Sequence, residues 1–98
     1  SLGIICKTNA DAQKLHEKLS KTCHVHLLSP DRGQFKKGVS VTSIQMAKGL
    51  EFDEVIIMDA DQETYATDYD RSLLYIACTR AMHRLTLTFS GKRTGFID

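Results

Sequence analysis

The segment from Glu54 to Asp59 constrains the fold more than any other part of this chain. Its four inner residues, Val55-Ile56-Ile57-Met58, are all apolar, and an acidic residue stands at each end. A strand with one solvent-exposed face alternates apolar and polar residues. A continuous apolar run is instead typical of a strand that is buried on both faces of a parallel sheet. The segment therefore predicts a strand in a mainly parallel sheet with helices packed on it.

The amino-terminal part of the chain predicts a strand, a helix and a second strand. An apolar run at 2–6 indicates a buried strand. Thr8 and Asn9 then offer N-cap oxygens for a helix whose apolar stripe runs to about Leu19 and which ends near 20–22. Alternation at 24–28 predicts the second strand.

The remaining elements follow the same alternation of strand and helix. Helical spacing predicts a helix from Tyr69 to Met82, with Asp68 or Asp70 as its cap. The other predictions are a polar loop at 29–38, strands at 39–44 and 84–89, and a loose tail from Ser90. This order of elements predicts one α/β domain with a mainly parallel sheet.

The composition is that of an ordinary globular domain. Of the 98 residues, 42% are hydrophobic and 26% are charged, and the net charge is +1. Such a balance lacks the strongly basic character of a free-standing DNA-binding domain. Nucleic acid would therefore be bound through a local patch, for which Lys36-Lys37 and Lys92-Arg93 are candidates.

The cysteines, the histidines and the apolar runs restrict the setting. The three cysteines are widely spaced, which argues against a disulfide framework and favours a reducing, cytoplasmic environment. The four histidines lack metal-ligand spacing, so no metal site is predicted. No apolar run approaches the length of a membrane span. We interpret the start at Ser1, directly before a strand, as that of a fragment from a longer protein.

The turn at 48–51, just before the apolar strand, carries the first candidate binding residues. Gly49 permits a backbone path and a close ligand approach that other residues resist. Glu51 can accept hydrogen bonds from sugar hydroxyls, Lys48 can meet a phosphate, and Ser43 offers a hydroxyl at the end of a strand. A tight turn with a solvated glutamate is the alternative, and local chemistry alone favours it because short motifs match by chance.

Arg80 is the second candidate, near the end of a predicted helix. An arginine at that place interacts favourably with the helix dipole and needs no further function. An arginine held on a rigid helix is also the group that phosphoryl transfer uses to neutralise developing charge. Both interpretations are open from this residue alone.

Three stretches together resemble the second motor lobe of superfamily 1 DNA helicases of the UvrD/Rep group. Residues 6–10, Cys-Lys-Thr-Asn-Ala, are similar to the family's Arg-Thr-Asn-Ala segment. Residues 41–53 resemble motif V, T-x-H-x-A-K-G-L-E-F, and residues 74–85 resemble motif VI, Y-V-A-x-T-R-A followed by R-L. The pair A-K-G-L-E-F and T-R-A at this spacing is specific, so residues 1–98 are identified as one C-terminal lobe of such a protein.

The resemblance implies a fold, an activity and a set of roles. The fold would be RecA-like, of the P-loop NTPase type, with helices flanking a mainly parallel sheet. The parent would be an ATP-dependent DNA helicase that uses ATP and Mg²⁺ to move along single-stranded DNA and unwind duplexes. Gly49, Glu51 and Arg80 would bind the nucleotide, with Glu51 at the ribose and Arg80 at the γ-phosphate as the catalytic arginine finger. The residues implied at the nucleic acid are Ser43, Gln45 and Lys48.

The partners implied are the N-terminal motor lobe of the same protein and single-stranded DNA, with no membrane. Gln45 departs from the family's usual histidine, and Met46 stands where a serine is common. The short segment before motif V is closer to helicase IV-like proteins and to the helicase-like factor that releases RNA polymerase. An ATPase acting on RNA polymerase, or a binding module that has lost catalysis, therefore remains an alternative function.

The sequence lacks the elements that hold ATP phosphates in such motors. It contains no G-x-x-x-x-G-K-[ST] loop, and no acidic strand end followed by the expected glutamine. We therefore expect the isolated chain neither to bind nucleotide tightly nor to hydrolyse ATP.

Overall fold

The computed structural model of the chain describes residues 1–28 and 38–96. The strands in this part of the chain are β1 (Leu2–Cys6), β2 (His26–Leu27), β3 (Val39–Ser43), β4 (Phe52–Ile57) and β5 (Ala81–Leu87), and the helices are α1 (Asn9–Leu19), α2 (Ile44–Ala47) and α3 (Asp68–Cys78). The strands form a five-stranded sheet in the order β2-β3-β1-β4-β5, and each pairing between them is parallel. The predicted parallel sheet is confirmed.

Strand β4 lies between β1 and β5 and contributes to the larger core, while Met58, directly after it, contributes to the smaller one. Val55 and Ile57 are fully buried in the larger core, which α2 and α3 cover. Met58 packs into the smaller core, which lies beneath α1. Ile56 is only half-buried, since α1 packs over β1, β2 and β3 and leaves this face of β4 partly open. The predicted double burial therefore holds for one face fully and for the other in part.

Helix α1 begins and ends as its sequence predicts. Thr8 is the N-cap, and its hydroxyl accepts a hydrogen bond from the Asp11 N–H at 3.1 Å. Ala12 lies buried against the sheet, and the helix ends at Leu19 with Ser20 as the C-cap. Capping, and an apolar stripe that faces the sheet, account for these bounds.

The N-cap of α3 differs from the prediction. Thr67 is the cap, rather than Asp68 or Asp70, and its hydroxyl accepts from the Asp70 N–H at 3.1 Å. The Asp70 carboxylate accepts in return from the Thr67 N–H at 3.1 Å. The two residues thus form a reciprocal capping box, in which the aspartate occupies the third helical position and not the cap itself.

The end of α3 also differs from the prediction, which carried the helix to Met82 and began the last strand at Arg84. The helix ends at Cys78, and β5 already begins at Ala81. Ala81 pairs with Phe52 at the start of β4, and this pairing holds residues 81–83 in an extended conformation. The apolar spacing at these positions is compatible with a helix or a strand, and pairing with β4 selects the strand.

Helix α2 was not predicted, because the strand at 39–44 was expected to run directly into a turn. Ser43 ends β3 and caps the helix, and its hydroxyl accepts from the Met46 N–H at 3.3 Å. Ile44 and Ala47 are fully buried in the larger core. One turn of helix is therefore stabilised by burial, since four residues are too few to be helical alone.

The part of the tail around Thr94 is held in place rather than loose, contrary to the prediction. Thr94 is 1% exposed and donates its hydroxyl hydrogen bond to the Tyr65 carbonyl at 2.7 Å. The Thr94 N–H donates to the Ala60 carbonyl at 3.1 Å. Buried backbone groups need such partners, and here the tail supplies them.

Two further predictions differ from the structure or fall outside it. The strand predicted at 24–28 is a two-residue edge strand, His26–Leu27. The predicted loop at 29–38, including Lys36-Lys37, lies outside the described residues apart from Gly38. Within the described ranges, no helix is long and apolar enough to cross a membrane.

Gly3 of β1 provides a test of this packing. A Cβ atom placed on Gly3 would lie 2.7 Å from ring carbons of Phe52, a residue that is itself fully buried. We expect Gly3→Ala to lower the free energy of unfolding by about 1–3 kcal/mol through overpacking. Urea denaturation of the domain measures the change.

Gly95→Ala is the matched control, because a Cβ atom there meets nothing within 4 Å. We expect it to change the free energy of unfolding by less than about 0.5 kcal/mol. Equal stabilities for the two variants would show that Phe52 can move away from β1 at little cost.

Candidate functional site

Gly49, Glu51 and Arg80 lie together at the amino-terminal edge of β4 and β5. Glu51 directly precedes β4, and Arg80 directly precedes β5. The two strands begin in register, with Phe52 opposite Ala81. The Phe52 N–H also donates to the Arg80 carbonyl at 2.9 Å. The fold thus brings together the residues predicted to bind a nucleotide.

The side chain of Arg80 is hydrogen-bonded to the turn before β4. Its Nη1 donates to the Leu50 carbonyl at 3.3 Å, and its Nη2 donates to the Thr79 hydroxyl at 3.1 Å. Its Nε is buried and has no hydrogen-bond partner among the described residues. The guanidinium is therefore half-buried, oriented by two acceptors, and positively charged at the edge of the sheet.

Position 49 favours glycine because of its backbone conformation, and not because a side chain would lack space. Its φ is +81°, in the left-handed region, and a Cβ atom there would meet no heavy atom within 4 Å. The Leu50 N–H closes the turn on the Ala47 carbonyl at 3.0 Å. Glu51 is exposed beside this turn, and in the described part of the chain its carboxylate makes no hydrogen bond or ion pair. The surface around the turn is open to a ligand.

Ser43 lies at the opposite, carboxyl edge of the sheet, level with Cys6 of β1. The rise of a strand places this edge about 20 Å from the start of β4. Ser43 is 1% exposed. Its hydroxyl donates to Asn9 Oδ1 and accepts from the Met46 N–H. The predicted site residues are therefore divided between two edges, and the Ser43 hydroxyl is already engaged within the protein.

Gln45 and Lys48 are the accessible members of the predicted nucleic-acid set. Gln45 is exposed on α2, and Lys48 is the exposed C-cap residue that follows this helix. Helix α2 follows its N-cap Ser43 and ends at Ala47, two residues before Gly49, so it leads from the carboxyl edge toward the turn beside Arg80. The two groups of candidate residues are connected by this single turn of helix.

Lys7 and Asp70 form an ion pair at the carboxyl edge. Lys7 follows β1, and its Nζ lies 2.8 Å from Asp70 Oδ1 while donating to the Thr64 carbonyl at 2.6 Å. The hydrogen bond from Lys7 holds the pKa of the Asp70 carboxyl well below its usual range, and backbone N–H groups of the capping box lower it further. The pair joins the end of β1 to the beginning of α3.

This low pKa gives stability a pH dependence with a definite sign. Because the folded pKa lies below the ordinary value of 3.8, the Asp70 carboxylate contributes stability above that pH and loses it as pH falls toward the folded value. We expect Asp70→Asn to lower stability at pH 7 and to flatten the decline between about pH 5 and pH 2. Chemical denaturation across this range measures both effects.

Asp68→Asn is the control for Asp70→Asn, because Asp68 is an exposed carboxylate in the same turn of α3. We expect its denaturation profile to follow the wild type closely. If Asp70→Asn retained the full acid-dependent loss of stability, other carboxylates would be responsible for it.

Among residues 1–28 and 38–96, the cysteines and histidines form no second cluster of reactive groups. Cys6 is buried, and burial raises the pKa of its thiol to about 12, which makes it an inert core residue. The rings of His24 and His26 lie 4.9 Å apart at a steep angle. No group of three or more potential metal ligands occurs among residues 1–28 and 38–96.

Two groups at the site were missed by sequence reasoning. The Leu50 carbonyl carries no side-chain signal, since each residue has such a group. Thr79 is part of the T-R-A segment, and its polarity beside Arg80 was a signal that sequence reasoning left unused. Both groups orient the guanidinium of Arg80.

Comparisons with known proteins agree with this architecture. The sequence profile of the UvrD-like helicase C-terminal domain matches residues 38–88. Among solved structures, the C-terminal domain of a possible DNA helicase from Lactobacillus plantarum WCFS1 is 38% identical and superposes with a TM-score of 0.84. That match covers 97% of this chain and 59% of the other, so this chain spans little more than half of that domain. No curated protein gives a significant match.

Proposed function

The chain belongs to the family of UvrD-like helicase C-terminal domains, and we propose that it is the second motor lobe of an ATP-driven superfamily 1 DNA helicase. The observation that carries the proposal is the link between Arg80 and the Leu50 carbonyl at 3.3 Å. It joins the two segments that resemble motifs V and VI into one charged edge. An arginine fixed in this way is suited to a nucleotide phosphate presented by a second lobe.

The residues of this chain suit two groups of a nucleotide, its phosphate and its ribose. Arg80 has N–H groups that remain free for phosphate oxygens, and Glu51 is an exposed acceptor for ribose hydroxyls. The described residues offer no acidic cluster for Mg²⁺. In the proposed motor, the N-terminal lobe of the same protein therefore supplies the phosphate loop and the metal ligands.

The proposed catalytic step requires closure of the two lobes. ATP supplies the phosphoanhydride bond whose hydrolysis drives the cycle. Arg80 approaches the γ-phosphate on closure and neutralises the negative charge that develops there. Glu51 orients the nucleotide, while the turn at Gly49 leaves room for its approach. The chain thus contributes charge and position, and the parent protein contributes the rest of the site.

We assign the nucleic-acid contact of the motor to the exposed residues of α2. Gln45 is accessible there, and Lys48 carries a positive charge between α2 and the nucleotide turn. Ser43 supports this contact by capping α2 rather than by touching the strand. Motion of the turn beside Arg80 would be passed to Gln45 through one helical turn, which couples nucleotide state to strand movement.

Arg80→Ala in the full-length parent tests the proposal. We expect the ATPase activity stimulated by single-stranded DNA to fall on the order of 10³-fold or more, the effect typical of removing an arginine finger. Steady-state ATPase kinetics measure it, and circular dichroism of the variant confirms that the lobe is folded.

Arg84→Ala is the matched control for the loss of a positive charge nearby. Arg84 lies on β5 and pairs with Glu54 at 3.5 Å in an exposed ion pair, which contributes little to stability. We expect near wild-type turnover from this variant. Full turnover from Arg80→Ala would contradict the proposed arginine finger.

A motor that acts on RNA polymerase is the second candidate function. Gln45 stands at the exposed position where the family usually has histidine, which favours an altered contact to the strand. ATPase turnover of the parent with and without single-stranded DNA separates the candidates. Stimulation by DNA supports the helicase, and turnover indifferent to DNA, together with capture of RNA polymerase, supports the second candidate.

Absence of any turnover would instead leave a binding module without catalysis.

For the parent in its cell we propose a cytoplasmic location. The three cysteines are free thiols, two of them at least half-buried, as is usual in a reducing compartment.

A further inference from the structure

Thr79 holds the guanidinium of Arg80 in one orientation. The Thr79 hydroxyl donates to the Ile76 carbonyl at 2.7 Å and accepts from Arg80 Nη2 at 3.1 Å. A hydroxyl has a single proton, and here it is directed into the last turn of α3. The hydroxyl oxygen therefore has only lone pairs to offer Arg80, so Arg80 is the donor and Thr79 the acceptor in the hydrogen bond between the two side chains.

The hydrogen bonds of Arg80 determine which of its donors remain free. A guanidinium carries five N–H groups. The Nε group is buried, one N–H of Nη1 is directed to Leu50, and one N–H of Nη2 is directed to Thr79. Each terminal nitrogen thus keeps one N–H. Each of these N–H groups can donate to a phosphate oxygen in a charge-assisted hydrogen bond.

We infer that Thr79 is a positioning residue, which holds Arg80 so that its remaining N–H groups meet a nucleotide phosphate. The inference rests on the proposed function, and it gives a role in turnover to a residue outside the predicted site set. A free arginine side chain has many rotamers and loses entropy when a ligand fixes one of them. An arginine already held by Thr79 and the Leu50 carbonyl loses less, so the transition state is reached more readily.

A purely structural role for Thr79 would have a different signature. Its hydroxyl also caps α3 through the Ile76 carbonyl, and loss of a cap lowers stability without a specific effect on turnover. A positioning role instead lowers kcat and leaves the KM for ATP nearly unchanged, because the contact matters most in the transition state. The hydroxyl, and not the size of the side chain, should be what is needed.

The test uses the full-length parent with saturating single-stranded DNA. We expect Thr79→Val, which keeps the shape and removes the hydroxyl, to lower kcat on the order of tenfold. Thr79→Ser should restore most of the activity. Thr86→Val, at an exposed position of β5 away from the site, is the matched control and should behave as the wild type. Thermal unfolding checks each variant, and Thr79→Ala is a second variant without the hydroxyl.

The outcomes separate this inference from the proposed function. Wild-type kcat for Thr79→Val, with Arg80→Ala inactive, would overturn the role of Thr79 and leave the motor function standing. Equal loss in Thr79→Ser and Thr79→Val would also overturn it, because the hydroxyl would then be irrelevant. A parent without ATPase activity, or with full activity in Arg80→Ala, would overturn the proposed function and this inference together.

Discussion

Packing around Phe52 is the contact on which both the fold and the candidate site depend. The residue is fully buried, and its ring lies so close to Gly3 of β1 that no side-chain carbon would fit between them. Its N–H donates to the Arg80 carbonyl and so holds the start of β5 against β4. Burial of an aromatic ring is among the largest apolar contributions that one residue makes. The same residue thus stabilises three neighbouring strands and places Arg80 at the edge of the sheet.

The site itself is built mainly from backbone groups. Gly49 adopts a left-handed conformation that other residues resist, and this conformation sets the course of the turn leading to the Leu50 carbonyl. That carbonyl and the Thr79 hydroxyl then orient the charge of Arg80. The hydrogen bond to the Leu50 carbonyl therefore joins the turn before β4 to the start of β5.

Several elements could be predicted from the sequence, and the errors have identifiable causes. The apolar run in β4 and the capping of α1 by Thr8 are local signals. The cap is confirmed, and the strand exists but lies two residues earlier, at Phe52–Ile57, than the predicted 54–59. Helix α3 was predicted too long, because residues 81–83 have spacing that suits a helix, and pairing with β4 overrides it. The short helix α2 was missed, because its stability comes from burial and not from propensity. The tail around Thr94 was expected to be loose, because its composition does not indicate the hydrogen bond from the Thr94 hydroxyl to the Tyr65 carbonyl.

The sequence by itself determined the class of the fold, the family, and the pairing of a glycine-glutamate turn with an arginine. These are carried by residue type and spacing along the chain, which are local properties. Only the tertiary structure decided that Ser43 is buried on the edge opposite Arg80, and that Arg80 is held by Leu50. These facts depend on the register of parallel strands and on contacts between residues about thirty positions apart. A backbone carbonyl has no signature in the sequence, so its partner is known only when the chain has folded.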